Sequence, residues 1–223
     1  MLKKFVFWGA LVACHAVAHA DGSPWRGYLA LGISAGGDPL AKTQVTDRQT
    51  GQTQPVELTA GGGLGSFTLG AEYRFSEVVA LRASGSYGRE GSTQYQKGTF
   101  NSDTQRYEGG YSYDGGLTFT TLASEVTCFF SVTPALRIGL GARQSVGELS
   151  GTGTLAALTN TGSYSAAPGT VVELQYLFGK SNRHSEEGEP AWGINLRAVR
   201  ETFTNKGTEF NADHVGIGLI GYF

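Results

Sequence analysis

Apolar and polar residues alternate along most of this chain with a period of two. That is the spacing of a strand, whose successive side chains point to opposite faces. In 26–36, Leu29, Leu31, Ile33 and Ala35 share one face, with Tyr28, Ala30, Gly32 and Ser34 on the other. In 64–75, Phe67, Leu69, Ala71, Tyr73 and Phe75 oppose Thr68, Gly70, Glu72 and Arg74. In 78–88, Val79, Leu81, Ala83 and Tyr87 oppose Arg82, Ser84 and Ser86. The segment 113–130 reads well only in its second half, with Leu122, Val126, Cys128 and Phe130 against Thr121, Glu125 and Thr127. Its first half suggests a bulge near 117–121. In 135–146, Leu136, Ile138, Leu140 and Ala142 oppose Arg137, Gly139, Gly141 and Arg143. In 169–178, Val172, Leu174, Tyr176 and Phe178 oppose Glu173 and Gln175. In 191–203, Trp192, Ile194, Leu196 and Ala198 oppose Asn195 and Arg197. The eighth segment is 214–223, with Val215, Ile217, Leu219 and Phe223 on one face and His214, Gly216, Gly218 and Tyr222 on the other.

Eight strands of roughly ten residues have the length that crosses a bilayer at a tilt. The links between them alternate. Those at 37–59, 89–112 and 147–168 are long and polar, while 76–77 and 131–134 are short turns. The third turn, 179–190, breaks the rule by its length, and 204–213 is a short fourth loop. The pattern predicts an all-β chain, an eight-stranded antiparallel up-and-down transmembrane β-barrel. Seven aromatics, Tyr73, Phe75, Phe130, Tyr176, Phe178, Trp192 and Phe223, gather at the turn end, as a membrane-interface girdle would.

The last ten residues resemble the closing strand of small bacterial outer-membrane barrels, the group of the OmpA transmembrane domain, OmpX and opacity proteins. In that group a terminal aromatic on an alternating strand is the signal read by the barrel-assembly machinery, which would make Phe223 the assembly signal here. Gly221 departs from the pattern, because the family usually has a bulky apolar residue there. The resemblance implies short turns in the periplasm, long loops outside the cell, and structural, adhesive or host-interaction roles. It also implies a monomer in contact with outer-membrane lipid and lipopolysaccharide.

The N-terminus agrees with export. Lys3 and Lys4, the apolar run from Phe5 to Ala13 and the small residues Ala18-His19-Ala20 read as a signal peptide over 1–20, leaving 21–223 as the barrel domain. Leu11-Val12-Ala13-Cys14 offers a competing lipobox, in which Cys14 would be lipidated. Beyond residue 20, 15 basic residues face 19 acidic ones, and no basic patch calls for nucleic acid. Cys14 leaves with the signal and Cys128 is alone, so cysteine usage is uninformative about disulfides.

The polar faces carry Glu72, Arg74, Arg82, Glu125, Arg137, Arg143, Glu173 and Arg197. A buried charge left unpaired is costly, so these residues should form an ion-pair network across the lumen. Eight strands leave an interior just wide enough for side chains to fill. A plugged core is therefore expected over a small channel. A lipid A-modifying enzyme is the alternative from another class. Arg183-His184-Ser185 is the one local pattern similar to lipid A deacylases, with His and Ser adjacent where that group has them spaced. His214 beside Asp213 could act as a rim base, with no nucleophile specified. Two histidines and one cysteine past residue 20 make no metal constellation, and no cofactor is expected. The 89–112 loop carries Tyr95, Phe100, Tyr107 and Tyr111 among Gly, Gln, Ser and Thr. That composition suits adaptable contact with an extracellular ligand, and equally a hydrated surface loop with none.

Overall fold

The computed structural model describes residues 24–61, 63–91, 95–157, 160–178 and 191–223. The signal segment and the third turn lie outside the described residues. In chain order the strands are β1 (Trp25–Gly36), β2 (Pro39–Thr46), β3 (Thr53–Thr59), β4 (Gly63–Arg74) and β5 (Val79–Gly91). Next come β6 (Tyr95–Asn101), β7 (Arg106–Gly115), β8 (Leu117–Ser131) and β9 (Leu136–Gly151). A single-turn helix, α1 (Gly153–Ala156), precedes β10 (Gly162–Ala166), β11 (Gly169–Phe178) and β12 (Ala191–Arg200). The chain finishes with β13 (Thr202–Asn205), β14 (Thr208–Asn211) and β15 (His214–Tyr222).

Strands β1, β4, β5, β8, β9, β11, β12 and β15 each pair antiparallel with the next, and β15 returns to β1. The result is a closed eight-stranded barrel with up-and-down connectivity. The seam between last and first strand is continuous from Tyr28–Tyr222 to Gly36–His214. It ends on a reciprocal pair: Gly27 N–H donates to the Phe223 carbonyl at 2.6 Å, and Phe223 N–H to the Gly27 carbonyl at 3.1 Å. The glycine at 221 also has a reason. Trp192 lies opposite it on β12, and a Cβ at 221 would stand 2.7 Å from the indole Cζ3. The neighbouring strand thus supplies the bulk that the terminal strand lacks, an aromatic ring laid over a glycine.

The barrel is inverted relative to a water-soluble one. Leu140 is 62% exposed and Val215 65%, whereas Glu72, Arg82 and Glu173 are 0% exposed. An outer face of Leu, Ile, Val and Phe around a charged interior suits a hydrocarbon solvent. At the turn end the exposed rings touch in edge-to-face pairs: Trp25 with Tyr73 and Tyr73 with Phe75 at 4.9 Å, Tyr176 with Phe178 at 5.7 Å. Two tight turns there are built alike. The Ser76 hydroxyl accepts the Val78 and Val79 N–H groups, and the Thr133 hydroxyl those of Ala135 and Leu136. A short hydroxyl side chain that satisfies the turn's own backbone lets the chain reverse in so few residues.

At the loop end the structure departs from the sequence reading. The long polar links are themselves folded, as the hairpins β2–β3 and β6–β7, and the seventh barrel strand ends at Arg200 so that 202–211 form a further hairpin, β13–β14. β9 runs on to Gly151, five residues past the expected limit, and pairs with β10, which pairs with β13. There is no bulge at 117–121; β8 pairs with β5 and β9 without a slip. The wall slips elsewhere, between Gly32 and Ser34 where β1 meets β4. What changes in β8 is the solvent. Leu117 and Phe119 point inward and are buried, into an apolar core with Leu58, Ala60, Leu149, Leu155, Tyr164, Phe203 and Phe210. Phe119 meets Phe203 at 5.5 Å and Phe210 at 6.0 Å, and Phe203 stacks on Phe210 at 5.5 Å.

The hairpins are also tied to one another. Arg48 N–H donates to the Gly110 carbonyl, joining the β2–β3 turn to β7, and Asp38 and Asn211 exchange backbone and side-chain hydrogen bonds. In the β2–β3 turn, Asp47 accepts the Gln49 and Thr50 N–H groups, which hold its carboxyl below the ordinary value. Because Phe203 is fully buried in this core, Phe203→Ala should destabilise the protein by roughly 3–5 kcal/mol. Urea unfolding in micelles measures this. A loss of under about 1 kcal/mol, the range of surface changes, would mean that the loops share no core.

Candidate functional site

The candidate site is the interior, where alternation delivers charged side chains from every wall. In the layer nearest the turns, Glu72 lies 2.6 Å from Arg26 Nη2 and 2.9 Å from Arg137 Nη2. Arg137 also donates to the Tyr222 hydroxyl at 3.0 Å and to Gln175 Oε1 at 3.3 Å, and Tyr222 donates to Gln175 Oε1 at 2.8 Å. Gln175 Nε2 then donates to Glu173 Oε1 at 2.7 Å, and Asn195 Nδ2 to the same oxygen at 2.9 Å.

The middle of the barrel is held by Arg82, fully buried, 2.6 Å from Glu173 and 3.4 Å from Glu125. Its guanidinium stands 4.0 Å from the Tyr28 ring centroid and 4.7 Å from that of Phe129; Arg137 approaches the Phe129 ring at 4.6 Å from its own side. A cation over an aromatic face gains electrostatic attraction where water is absent. Glycine at 139 makes this possible, since a Cβ there would sit 2.5 Å from Phe129 Cε1. The room left by the glycine is taken by the ring that the arginines flank.

Toward the loops, Glu125 takes Arg197 in a short ion pair and Arg143 at 3.7 Å, and Thr127 donates to it at 3.1 Å. Arg143 Nε reaches Glu201 at 3.3 Å, and the Ser145 hydroxyl donates to Glu201 at 2.6 Å. Seven of the eight residues singled out on the polar faces, Glu72, Arg82, Glu125, Arg137, Arg143, Glu173 and Arg197, are thereby brought together. Arg74 stands half-buried at the turn-end mouth of β4.

Two charged members are absent from the sequence reading. Arg26 shares the inward parity of Tyr28 on β1, so the signal was present. Glu201 lies in the gap between β12 and β13, where alternation gives no guide.

The rim histidine has settled partners. His214 Nδ1 lies 2.9 Å from the Ala212 carbonyl, while Asp213 Oδ1 accepts the Glu201 N–H at 3.0 Å. Among the described residues no hydroxyl is hydrogen-bonded to His214. Arg183, His184 and Ser185 lie outside the described residues, as do the side chains of Tyr95, Phe100, Tyr107 and Tyr111.

No protein-family model matches this chain. No curated protein matches it. Among solved structures it is similar to Ail, the attachment invasion locus protein of Yersinia pestis, at 11% identity and a TM-score of 0.41, over 88% of this chain and 97% of that one. It is also similar to Neisserial surface protein A, at 12% identity and a TM-score of 0.41, over 90% of this chain and 96% of that one. Both likenesses are distant.

Glu125 faces three guanidiniums inside the barrel. Glu125→Ala should therefore cost roughly 3–5 kcal/mol, the penalty for breaking a buried pair. Arg200, 85% exposed and 3.8 Å from Asp213, provides the contrast. Arg200→Ala should change stability by less than about 1 kcal/mol. Equal effects in chemical unfolding would show that the lumen charges are as well solvated as the surface pair.

Proposed function

We propose that this chain is an integral protein of a bacterial outer membrane, exported with residues 1–20 removed, whose lumen is closed and whose loops form a fixed contact surface outside the cell. The observation that carries the reading is the apolar core at the loop end. It draws Leu58 and Ala60 from β3 and its exit, Leu155 and Tyr164 from the α1–β10 excursion, and Phe203 and Phe210 from the last hairpin. A conducting barrel gains nothing from such a core. A surface that must hold its shape against a partner does, since binding then orders little further.

The large apolar side chains exposed among the described residues stand on the barrel strands, their turns and the barrel ends. On the hairpin tips the exposed residues are polar: Arg48, Gln49 and Thr50 on one, Ser102, Asp103 and Thr104 on another, Lys206, Thr208 and Glu209 on a third. The partner is accordingly recognised through hydrogen bonds and charge.

Orientation tests the proposal. An epitope inserted near Gly98, in the β6–β7 hairpin, should be reachable by antibody on intact cells. One near Glu187, in the third turn, should be reachable only after the outer membrane is permeabilised. The reverse pattern would invert the barrel and remove the contact surface from the outside.

Phe223 serves in this reading as the assembly signal and as a lipid-facing girdle residue. Deleting it should lower the amount of folded, heat-modifiable protein in the outer membrane, seen as loss of the fast-migrating band in unheated gels. Unchanged levels would separate the terminal aromatic from assembly.

A further inference from the structure

Above the Arg82–Glu125 contact the interior is not filled. A cavity of about 80 Å³ lies there, walled on the β1, β4 and β15 side by Gly32, Ser66, Gly216 and Gly218. On the other sides stand Arg143, Arg197 and Glu90, and His214 lies at the loop end of β15. The cavity reaches the loop-end rim between β4 and β5 at Gly65, Gly88 and Arg89.

Its lining holds hydrogen-bonding atoms that the protein itself leaves unused. Arg197 spends Nη2 on Glu125, and its Nε and Nη1 have no partner among the described residues. Arg143 spends Nε on Ser145 and Glu201 and Nη1 on Ser86 and Glu125, leaving Nη2. On the β5 wall, Glu90 Oε1 accepts the Thr59 N–H and hydroxyl, while Glu90 Oε2 is buried without a partner. With His214 Nδ1 donating to the Ala212 carbonyl, His214 Nε2 is an acceptor. Glu90 Oε2 is the buried one of these atoms, and because buried polar atoms are satisfied as a rule, an unpartnered one facing a polar space points to an occupant.

Charge and size restrict its chemistry. With Glu125 counted as the partner of Arg143 and Arg197, the carboxylates Glu90, Glu125 and Glu201 match the guanidiniums Arg89, Arg143 and Arg197 in number, so the space carries no net charge to hold an anion or a cation. A hydroxyl group gives and takes a hydrogen bond at once and suits both kinds of leftover atom. The volume is that of roughly five to eight waters, enough for the edge of one sugar ring and too little for an oligosaccharide.

We infer that this chamber is a binding site for one uncharged polyhydroxylated group, a single sugar unit presented at the β4–β5 rim. Two sources share that chemistry: a free sugar outside the cell, and a saccharide unit of the envelope's own lipopolysaccharide. Both sources rest on the orientation proposed above; binding measured in micelles does not.

The test uses the full-length folded protein in detergent micelles. Saturation-transfer NMR reads binding of methyl α-D-glucopyranoside and of N-acetylglucosamine, with sodium sulfate as the anionic comparison. Native mass spectrometry of protein from micelles doped with lipopolysaccharide reads the second source. Two variants report from opposite walls, each checked for folding by heat-modifiable migration. Ser66→Leu grows into the space from a Cβ already present. Glu90→Gln keeps an acceptor for Thr59 and turns the unpartnered oxygen into a donor.

Free-sugar binding that falls about tenfold in either folded variant assigns the site to an external solute. Retention of lipopolysaccharide alone, lost in the same variants, assigns it to the envelope. The inference is overturned if neither ligand binds the wild-type protein, if sulfate binds it more tightly than the sugars, or if binding is unchanged in the folded variants. The wild-type measurements decide the matter even where a variant fails to fold.

Discussion

A charge placed inside a narrow barrel must find its counter-charge there, because the wall offers it no water. Here that constraint is met by one connected set of contacts. It runs from Arg26 and Glu72 through Arg137, Tyr222 and Gln175 to Glu173, and on through Arg82 and Glu125 to Arg197, Arg143 and Glu201. All eight barrel strands contribute at least one member. A slip of one residue in any strand would send its charges to the lipid face and its leucines inward. The ion pairs therefore specify register as much as they add stability.

The molecule meets three environments along one axis, and its strands carry a rule for each. In the central belt the rule is apolar outside and charged inside. At the turn end aromatic rings take over the exterior, and Arg26, Arg137 and Tyr222 pack behind them. At the loop end the rule reverses: Leu117, Phe119, Leu149 and Phe203 turn inward while Thr118, Thr120, Glu148 and Ser150 face out. The small core above the barrel is that of an ordinary water-soluble domain, continuous with the transmembrane wall through β8 and β9. Between the apolar core and the ion pairs lies the polar chamber, so the interior passes from charged to polar to apolar over the length of β9.

This layering explains what could be read from residues alone. The eight strands, their outward faces and seven of the interior charges follow from period-two alternation, since a lipid-facing strand has no other way to hide its polar atoms. Arg26 carries the same signal, two residues before Tyr28 on the inward face of a strand that begins at Trp25. Glu201 carried no signal. The loop hairpins were illegible for a physical reason: the period stays two, but the phase that marks the outside in lipid marks the inside in water. In β8 the apolar positions shift from even (Leu122, Val126, Phe130) to odd (Leu117, Phe119) with no change in backbone geometry. Such a phase change resembles a bulge in the sequence and is a change of solvent in the structure. Gly221 was likewise opaque, because its explanation, Trp192, sits on another strand.

The central claim is that side chains close the axis of this barrel. Single-channel recording of the folded wild-type protein in a planar lipid bilayer tests it most directly. With the Arg82–Glu125–Glu173 contacts across the middle and the apolar core above them, no steady conductance steps should appear at any holding potential the bilayer withstands. Large, stable, reproducible steps from the wild-type protein would contradict the account.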